Sequence, residues 1–192
     1  MTWRFITGRR LVAALIASLG ACMVAGVVGA ETALHIRHRR PQPENARELA
    51  RETGFEWKAV QITVPDGVVL RAWLFTPPHH DAAGVLVLHG IKGNREDMLG
   101  HARYLLRSGL AVLPPDLRGH GESSGGITTY GIDESGDVSS WADWLVETQH
   151  IRCLYGLGMS LGAGVLLQSV AHENRFRAVA AGSSFASFPE IA

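Results

Sequence analysis

The chain has 192 residues, is 46% apolar and carries no formal net charge at neutral pH. That length leaves room for one domain with a real core, and too little for two domains plus a membrane segment. The charge balance excludes a global attraction to nucleic acid. All but Lys58 and Lys92 of its 18 basic residues are arginine, a compositional bias rather than a binding surface.

Residues 1–10 form a basic segment with Arg4, Arg9 and Arg10, and residues 11–30 contain no charge. An uncharged helix of that length spans about 30 Å, the thickness of a bilayer core. No polar face can be drawn on it, which argues against a buried core helix. The run exceeds the ~7–15 apolar residues of a usual signal core, so an uncleaved transmembrane anchor is favoured over a signal peptide. Val28-Gly29-Ala30 nevertheless has the small-x-small form of a cleavage site. Leu19-Gly20-Ala21-Cys22 resembles a lipoprotein box, but apolar residues follow it where a mature lipoprotein turns polar. Arg37, Arg39, Arg40, Arg47 and Arg51 follow the span. The positive-inside count therefore points against export and the signal-like layout points toward it. We follow the layout and expect a single-pass membrane protein with its soluble part on the exported side.

Residues 31–54, with Pro41 and Pro43, are expected to be a juxtamembrane linker with one or two helical turns around 44–51. The cluster Arg37-His38-Arg39-Arg40 either meets anionic headgroups or is a solvated flank. The soluble domain is expected over residues 55–192. Runs 57–64 and 68–75 predict two strands joined at the turn signal Pro65-Asp66-Gly67. His79 and His80, on a proline-rich loop, are expected to face solvent rather than a metal. Residues 84–89 are continuously apolar up to His89, as in a strand buried on both faces of a parallel sheet. A helix is predicted from about Arg95 to Ser108, with Asn94 as N-cap and Glu96 and Asp97 in its first turn. A strand at 110–114 then opens into the turn-rich loop 115–123. A helix from about Asp133 to Thr148 carries Val138, Trp141, Trp144 and Leu145 at helical spacing. A strand at 152–157, a helix from 161 to about 172 and a strand at 177–182 complete the alternation, which implies a parallel sheet with right-handed crossovers. Cys22 in the span and Cys153 in a buried strand are not expected to pair.

Gly158-Met159-Ser160-Leu161-Gly162 lies between a strand and a helix and has the form G-x-S-x-G. A serine on such a turn projects its hydroxyl from the sheet, and the flanking glycines remove side chains that would collide there. The N–H of Leu161, opening the helix, faces any oxyanion formed on a carbonyl attacked by Ser160. The other reading, a glycine-rich helix start with a capping serine, needs the context of further motifs to be set aside. A dinucleotide fingerprint would need a third glycine where Leu161 stands, and a phosphate-binding G-x-x-x-x-G-K is absent.

Three motifs occur in order after successive predicted strands: His89-Gly90, then Asp116-x-Arg118-Gly119-His120-Gly121-x-Ser123, then Gly158-x-Ser160-x-Gly162. Thr129-Tyr130-Gly131 and Glu134…Asp137 precede the Trp-rich helix. Over about residues 57–192 the set resembles the α/β-hydrolase superfamily, most closely its serine aminopeptidase and esterase-like members, including small membrane-anchored ones. The resemblance implies an α/β fold with a mostly parallel sheet and helices on both faces. It implies Ser160 as nucleophile and the N–H groups of Leu161 and Ile91 as oxyanion donors. It gives His89 a role in shaping the oxyanion loop and gives Asp116, Arg118 and His120 a loop-stabilising role rather than a catalytic one. The implied reaction is ester or amide hydrolysis through an acyl-enzyme, on a small-molecule ester or peptide, with no metal or organic cofactor.

In this superfamily the acid and then the histidine follow the serine in the chain. Here the only later histidine is His172 and the only later acids are Glu173 and Glu190. His172 and Glu173 are placed about three helical turns from Ser160, too far for a triad. The expectation is therefore a C-terminally truncated hydrolase whose base and acid are missing and which is inactive as it stands. Two alternatives are a non-catalytic membrane-tethered α/β domain and an acyltransferase or haloperoxidase-like use of the same turn.

Overall fold

The computed structural model describes residues 3–34, 39–78 and 82–184. Arg37, His38, His79, His80 and Glu190 lie outside the described residues. The chain divides into two units, residues 1–35 and 36–192. The first is helix α1, Trp3–Leu34. Its stretch Arg10–Thr32 has a mean hydropathy of 2.5 and none of it is buried. A helix this long and apolar is able to cross a bilayer, and a signal sequence has the same properties.

The second unit is built on a six-stranded mixed sheet of order β1-β2-β4-β3-β5-β6. The strands are β1 (Glu56–Thr63), β2 (Val69–Thr76), β3 (Ala83–Leu88), β4 (Ala111–Leu113), β5 (Cys153–Met159) and β6 (Phe176–Gly182). β1 pairs antiparallel with β2 and β2 antiparallel with β4, whereas β4, β3, β5 and β6 run parallel. The hairpin turn is held by Gly67 N–H on the Val64 carbonyl and by Val68 N–H on Asp66 Oδ1.

Strand side chains alternate between two cores, one on each face. Leu70, Leu74, Leu86 and Leu88 pack with Val138, Trp141 and Leu145 of α4 (Glu134–Gln149) and with Val165 and Leu166 of α5 (Leu161–Ser169). Trp73, Phe75, Val85, Val87 and Val112 point the other way, onto Met98, onto Ala102 and Leu106 of α3 (Leu99–Arg107), and onto α2 (Pro43–Thr53). The run at 84–89 is apolar throughout because both of its faces are covered.

α2 (Pro43–Thr53) replaces the expected linker with its one or two turns. Pro43 opens it, Gly54 closes it in the left-handed region at φ 77°, and Ala46, Leu49 and Ala50 bury one face. Those three residues are too few to stand out in a segment that is otherwise charged, so the helix's full length and its packing were hidden in the composition. The helix expected over 95–108 forms as a 3-10 turn, Arg95–Met98, leading into α3. The cause is the capping box between Asn94 and Asp97, together with Asp97 N–H on the Asn94 carbonyl, which closes the first turn over three residues instead of four. α5 stops at Ser169 rather than near 172, where the Ser169 hydroxyl turns back on the Leu166 carbonyl at 2.8 Å.

Candidate functional site

The loops after β3, β4 and β5 meet at the carboxyl ends of the parallel strands. β3 is flanked there by the earlier-wound β4 on one side and the later β5 on the other, the switch point where α/β sheets form crevices. Ser160 sits between β5 and α5 with φ 51° and ψ −115°. That is a strained conformation for a residue with a side chain, costing on the order of 1–3 kcal/mol. Packing enforces it. A Cβ on Gly158 would lie 2.4 Å from the Gly162 carbonyl oxygen, and one on Gly162 would lie 2.5 Å from that of Leu88. Ser160 N–H donates to the Gly182 carbonyl at 2.9 Å and Gly162 N–H to that of His89 at 3.1 Å. The turn is thus pinned between β6 and the end of β3, and Ser160 itself is exposed.

Leu161 is the first residue of α5, where a helix leaves its N–H groups without intrahelical partners. Gly90 lies against the serine, since a Cβ built on it would be 3.3 Å from Ser160 Cβ and 3.8 Å from Ser160 Oγ. Gly90 to Gly93 forms a turn closed by Gly93 N–H on the Gly90 carbonyl at 3.1 Å, with Lys92 in the left-handed region at φ 61°. Ile91 is at its exposed tip.

His89 fixes this turn. Its Nε2 accepts from Leu117 N–H at 3.0 Å, so the ring proton is on Nδ1, which donates to the Gly90 carbonyl at 2.7 Å. Both ring nitrogens are occupied and the ring is fully buried. Burial, with the neighbouring His120 adding to it, lowers its pKa to about 3, so the ring stays neutral. The His120 ring packs edge-on to His89 at 5.0 Å between centroids, and its Nδ1 lies 2.9 Å from the Arg118 carbonyl.

The loop after β4 is organised by buried charge. Asp116 accepts from Arg95 N–H and from an Arg95 guanidinium nitrogen, both at 2.7 Å, and from Glu122 N–H at 2.8 Å. Burial raises the Asp116 carboxyl above its usual range despite Arg95. Gly121 is required because its φ is +53° and a Cβ there would fall 2.1 Å from Asp116 Oδ2. Gly119 turns at φ +67°. Ser123 Oγ donates to the Asp116 carbonyl and accepts from Arg71 N–H, tying the loop to β2. Arg118 grips Asp137 of α4 through two nitrogens at 2.7 and 2.6 Å and reaches Asp66 at 2.9 Å. Glu134, also buried, accepts from the N–H groups of Thr129 and Gly131 and from the Thr129 hydroxyl.

The residues singled out in the sequence therefore separate by location. Ser160, Leu161 and Gly90 lie together at the carboxyl ends of β5 and β3, with Ile91 next to Gly90 at the exposed tip of its turn, Gly158 and Gly162 packed around the serine turn and His89 hydrogen-bonded to Gly90. Asp116, Arg118, Gly119, His120 and Gly121 form the loop that braces His89. His172 is exposed beyond the end of α5, and Glu173 is buried in a bridge to Arg175. Among the described residues no histidine or carboxylate hydrogen-bonds Ser160. Nor do three or more His, Cys, Asp or Glu gather to hold a metal ion. Sequence reasoning missed Arg95, which joins Asp116, bridges to Glu122 and stacks 4.9 Å over Trp73. The signal was available, since a buried Asp116 requires a cation.

A family model described as alpha/beta hydrolase fold matches residues 85–192. The chain is 34% identical over 97 residues to the uncharacterized protein YqkD of Bacillus subtilis, covering 50% of this chain and 32% of that one. It is 27% identical over 157 residues to the uncharacterized protein YfhR of Salmonella typhi, covering 73% of this chain and 53% of that one. Among solved structures it is similar to the esterase Pf2001 of Pyrococcus furiosus, with a TM-score of 0.70 at 26% identity over 80% of this chain and 58% of the esterase. Another crystal form of that esterase gives 0.66 at 29% identity over 70% and 54%. The chain spans about half the length, or less, of these relatives. With the strained serine turn, the ordered loops and a family match over more than half its length, the chain belongs to the alpha/beta hydrolase fold family.

Proposed function

We propose that this chain carries the nucleophile and oxyanion hole of a serine hydrolase acting on esters or amides. Ser160 Oγ attacks the carbonyl carbon and gives its proton to a general base. The Leu161 and Ile91 N–H groups hold the tetrahedral oxyanion. Its collapse expels the alcohol or amine and leaves an acyl group on Ser160, which water then removes. None of the described histidines is placed as the base, and His89 is excluded by its two hydrogen bonds. The observation that carries the reading is the strained backbone of Ser160, held by two glycines that cannot bear a Cβ. The likeness to an esterase supports esters as the first substrates to try. The domain is tethered by α1, which we read as a single membrane span with the domain on the exported side.

The test is labelling of the full gene product with a fluorophosphonate probe. Wild type should form an adduct on Ser160, and Ser160→Ala should lose it together with at least 10³-fold of any esterase activity. An unlabelled Ser160 in the full product would favour the second reading, a tethered non-catalytic domain, whose support is that no described histidine reaches Ser160.

A further inference from the structure

The turn that presents Ile91 is continuous with the 3-10 turn Arg95–Met98, and the first residues of that turn are held from outside it. Glu96 accepts from Gln42 N–H at 2.9 Å and from Asn45 Nδ2 at 2.5 Å. Gln42 is the N-cap of α2, and its own side chain makes no capping bond. The Glu96 carboxylate therefore caps α2 in its place, where the exposed N–H groups and the helix dipole favour an anion. Asp97 pairs with the Arg39 guanidinium, and the Arg39 carbonyl accepts from Asn94 Nδ2 at 2.8 Å.

The other carboxylate oxygen of Asp97 faces the Gly90–Gly93 turn. Asp97 Oδ2 accepts from Asn94 N–H at 3.1 Å. A Cβ on Gly93 would meet Asp97 Oδ2 at 2.7 Å, the Gly90 carbonyl oxygen at 3.0 Å and His89 Nδ1 at 3.3 Å. Asp97 is thus packed against the backbone of the turn whose next residues are Lys92 and Ile91. α2 cannot drift on its own, because Ala46, Leu49 and Ala50 are anchored in the core.

We infer that Arg39–Asn45, the segment between α1 and the body of the domain, is a strap that positions the Gly90–Gly93 turn through Glu96 and Asp97. The inference rests on the reading of Ile91 N–H as an oxyanion donor. Its residues touch no substrate, so they are positioning residues. The strap makes residues 39–45 part of the active-site scaffold, and undocking it releases the turn while leaving Ser160 on its own supports.

The experiment compares wild type, the double variant Arg39→Ala/Asn45→Ala and the conservative Arg39→Lys in the full gene product. Both truncated side chains lie on the domain surface, so the fold should survive. Hydrogen–deuterium exchange at the amides of Gly93 and Asn94 should be several-fold faster in the double variant and unchanged in Arg39→Lys. The fluorophosphonate labelling rate and kcat should fall about tenfold with KM unchanged, less than the 10²–10³-fold of a lost oxyanion donor. Unchanged exchange overturns the strap, and faster exchange with an unchanged labelling rate overturns its positioning role. If wild type is not labelled at all, the serine-hydrolase reading fails, and the exchange comparison still decides whether the strap holds the turn.

Discussion

His89 shows how a buried histidine beside a candidate nucleophile can be committed to the backbone rather than free to act as a base. A histidine with both nitrogens committed to backbone groups cannot take a proton without losing the bond from Leu117 N–H. Its surroundings reinforce this, since burial and the adjacent His120 hold its pKa at about 3, with the hydrogen bond to the Gly90 carbonyl and then Asp97 pulling the other way. The folded value is below the unfolded one, so acid favours unfolding. The contribution is complete above the unfolded pKa of ~6.5 and is lost as pH falls from there toward 3. Urea midpoints at pH 7.5 and 5.0 should reveal a loss of about 2 kcal/mol from this group. His89→Gln should be less stable at both pH values but should lack that share of the slope. Equal slopes in the two proteins would mean that His89 titrates in the folded state as it does in the unfolded chain.

At the level of elements, the loop after β4 is tied to its neighbours through ion pairs made by two arginines. Arg95 joins it to the start of the 3-10 turn, and Arg118 joins it to α4 and to the β1–β2 hairpin. Burial pushes the Asp137 carboxyl up against the pull of Arg118. Removing the cation should therefore hurt most where Asp137 must stay charged. Arg118→Met should cost about 3–5 kcal/mol at pH 7.5, and the penalty relative to wild type should shrink at pH 5.0 as Asp137 takes up a proton. A penalty independent of pH would show that lost packing rather than stranded charge is responsible. Strands and major helices were legible in the sequence because period and length are local properties. The pair 57–64 and 68–75 differs from β1 and β2 by one residue at each end. α2 was not legible as a packed helix, because its anchoring face is two alanines and one leucine whose partners lie on α3 and the sheet. The change from α to 3-10 at Arg95 depends on one capping box, which composition alone does not reveal.

At the scale of the whole molecule, the turns at the candidate site were legible to the extent that backbone geometry dictates residue type. Glycines at 158, 162 and 121 stand where a Cβ would collide, so a string of letters carried the shape of the turn. The braces were not legible, because Arg95 and Asp116 are 21 residues apart and Asn45 and Glu96 are 51 apart, with no period linking them. The arginines on either side of residues 11–30 do not decide which way the chain faces, so orientation must be measured directly. A span without a single charge over residues 11–30 should partition as a stable anchor, so the expressed chain should sediment with membranes and resist carbonate extraction. Its intact mass should include residues 1–30. A soluble product beginning at Glu31 would instead make α1 a cleaved signal. For orientation, Tyr104 is 71% exposed and serves as a reporter position. In a Cys22→Ser/Cys153→Ser background, Tyr104→Cys should react with a membrane-impermeant maleimide on intact cells if the domain is exported. Labelling that appears only after permeabilisation would place the domain inside, and the positive-inside count would then have outweighed the signal-like layout.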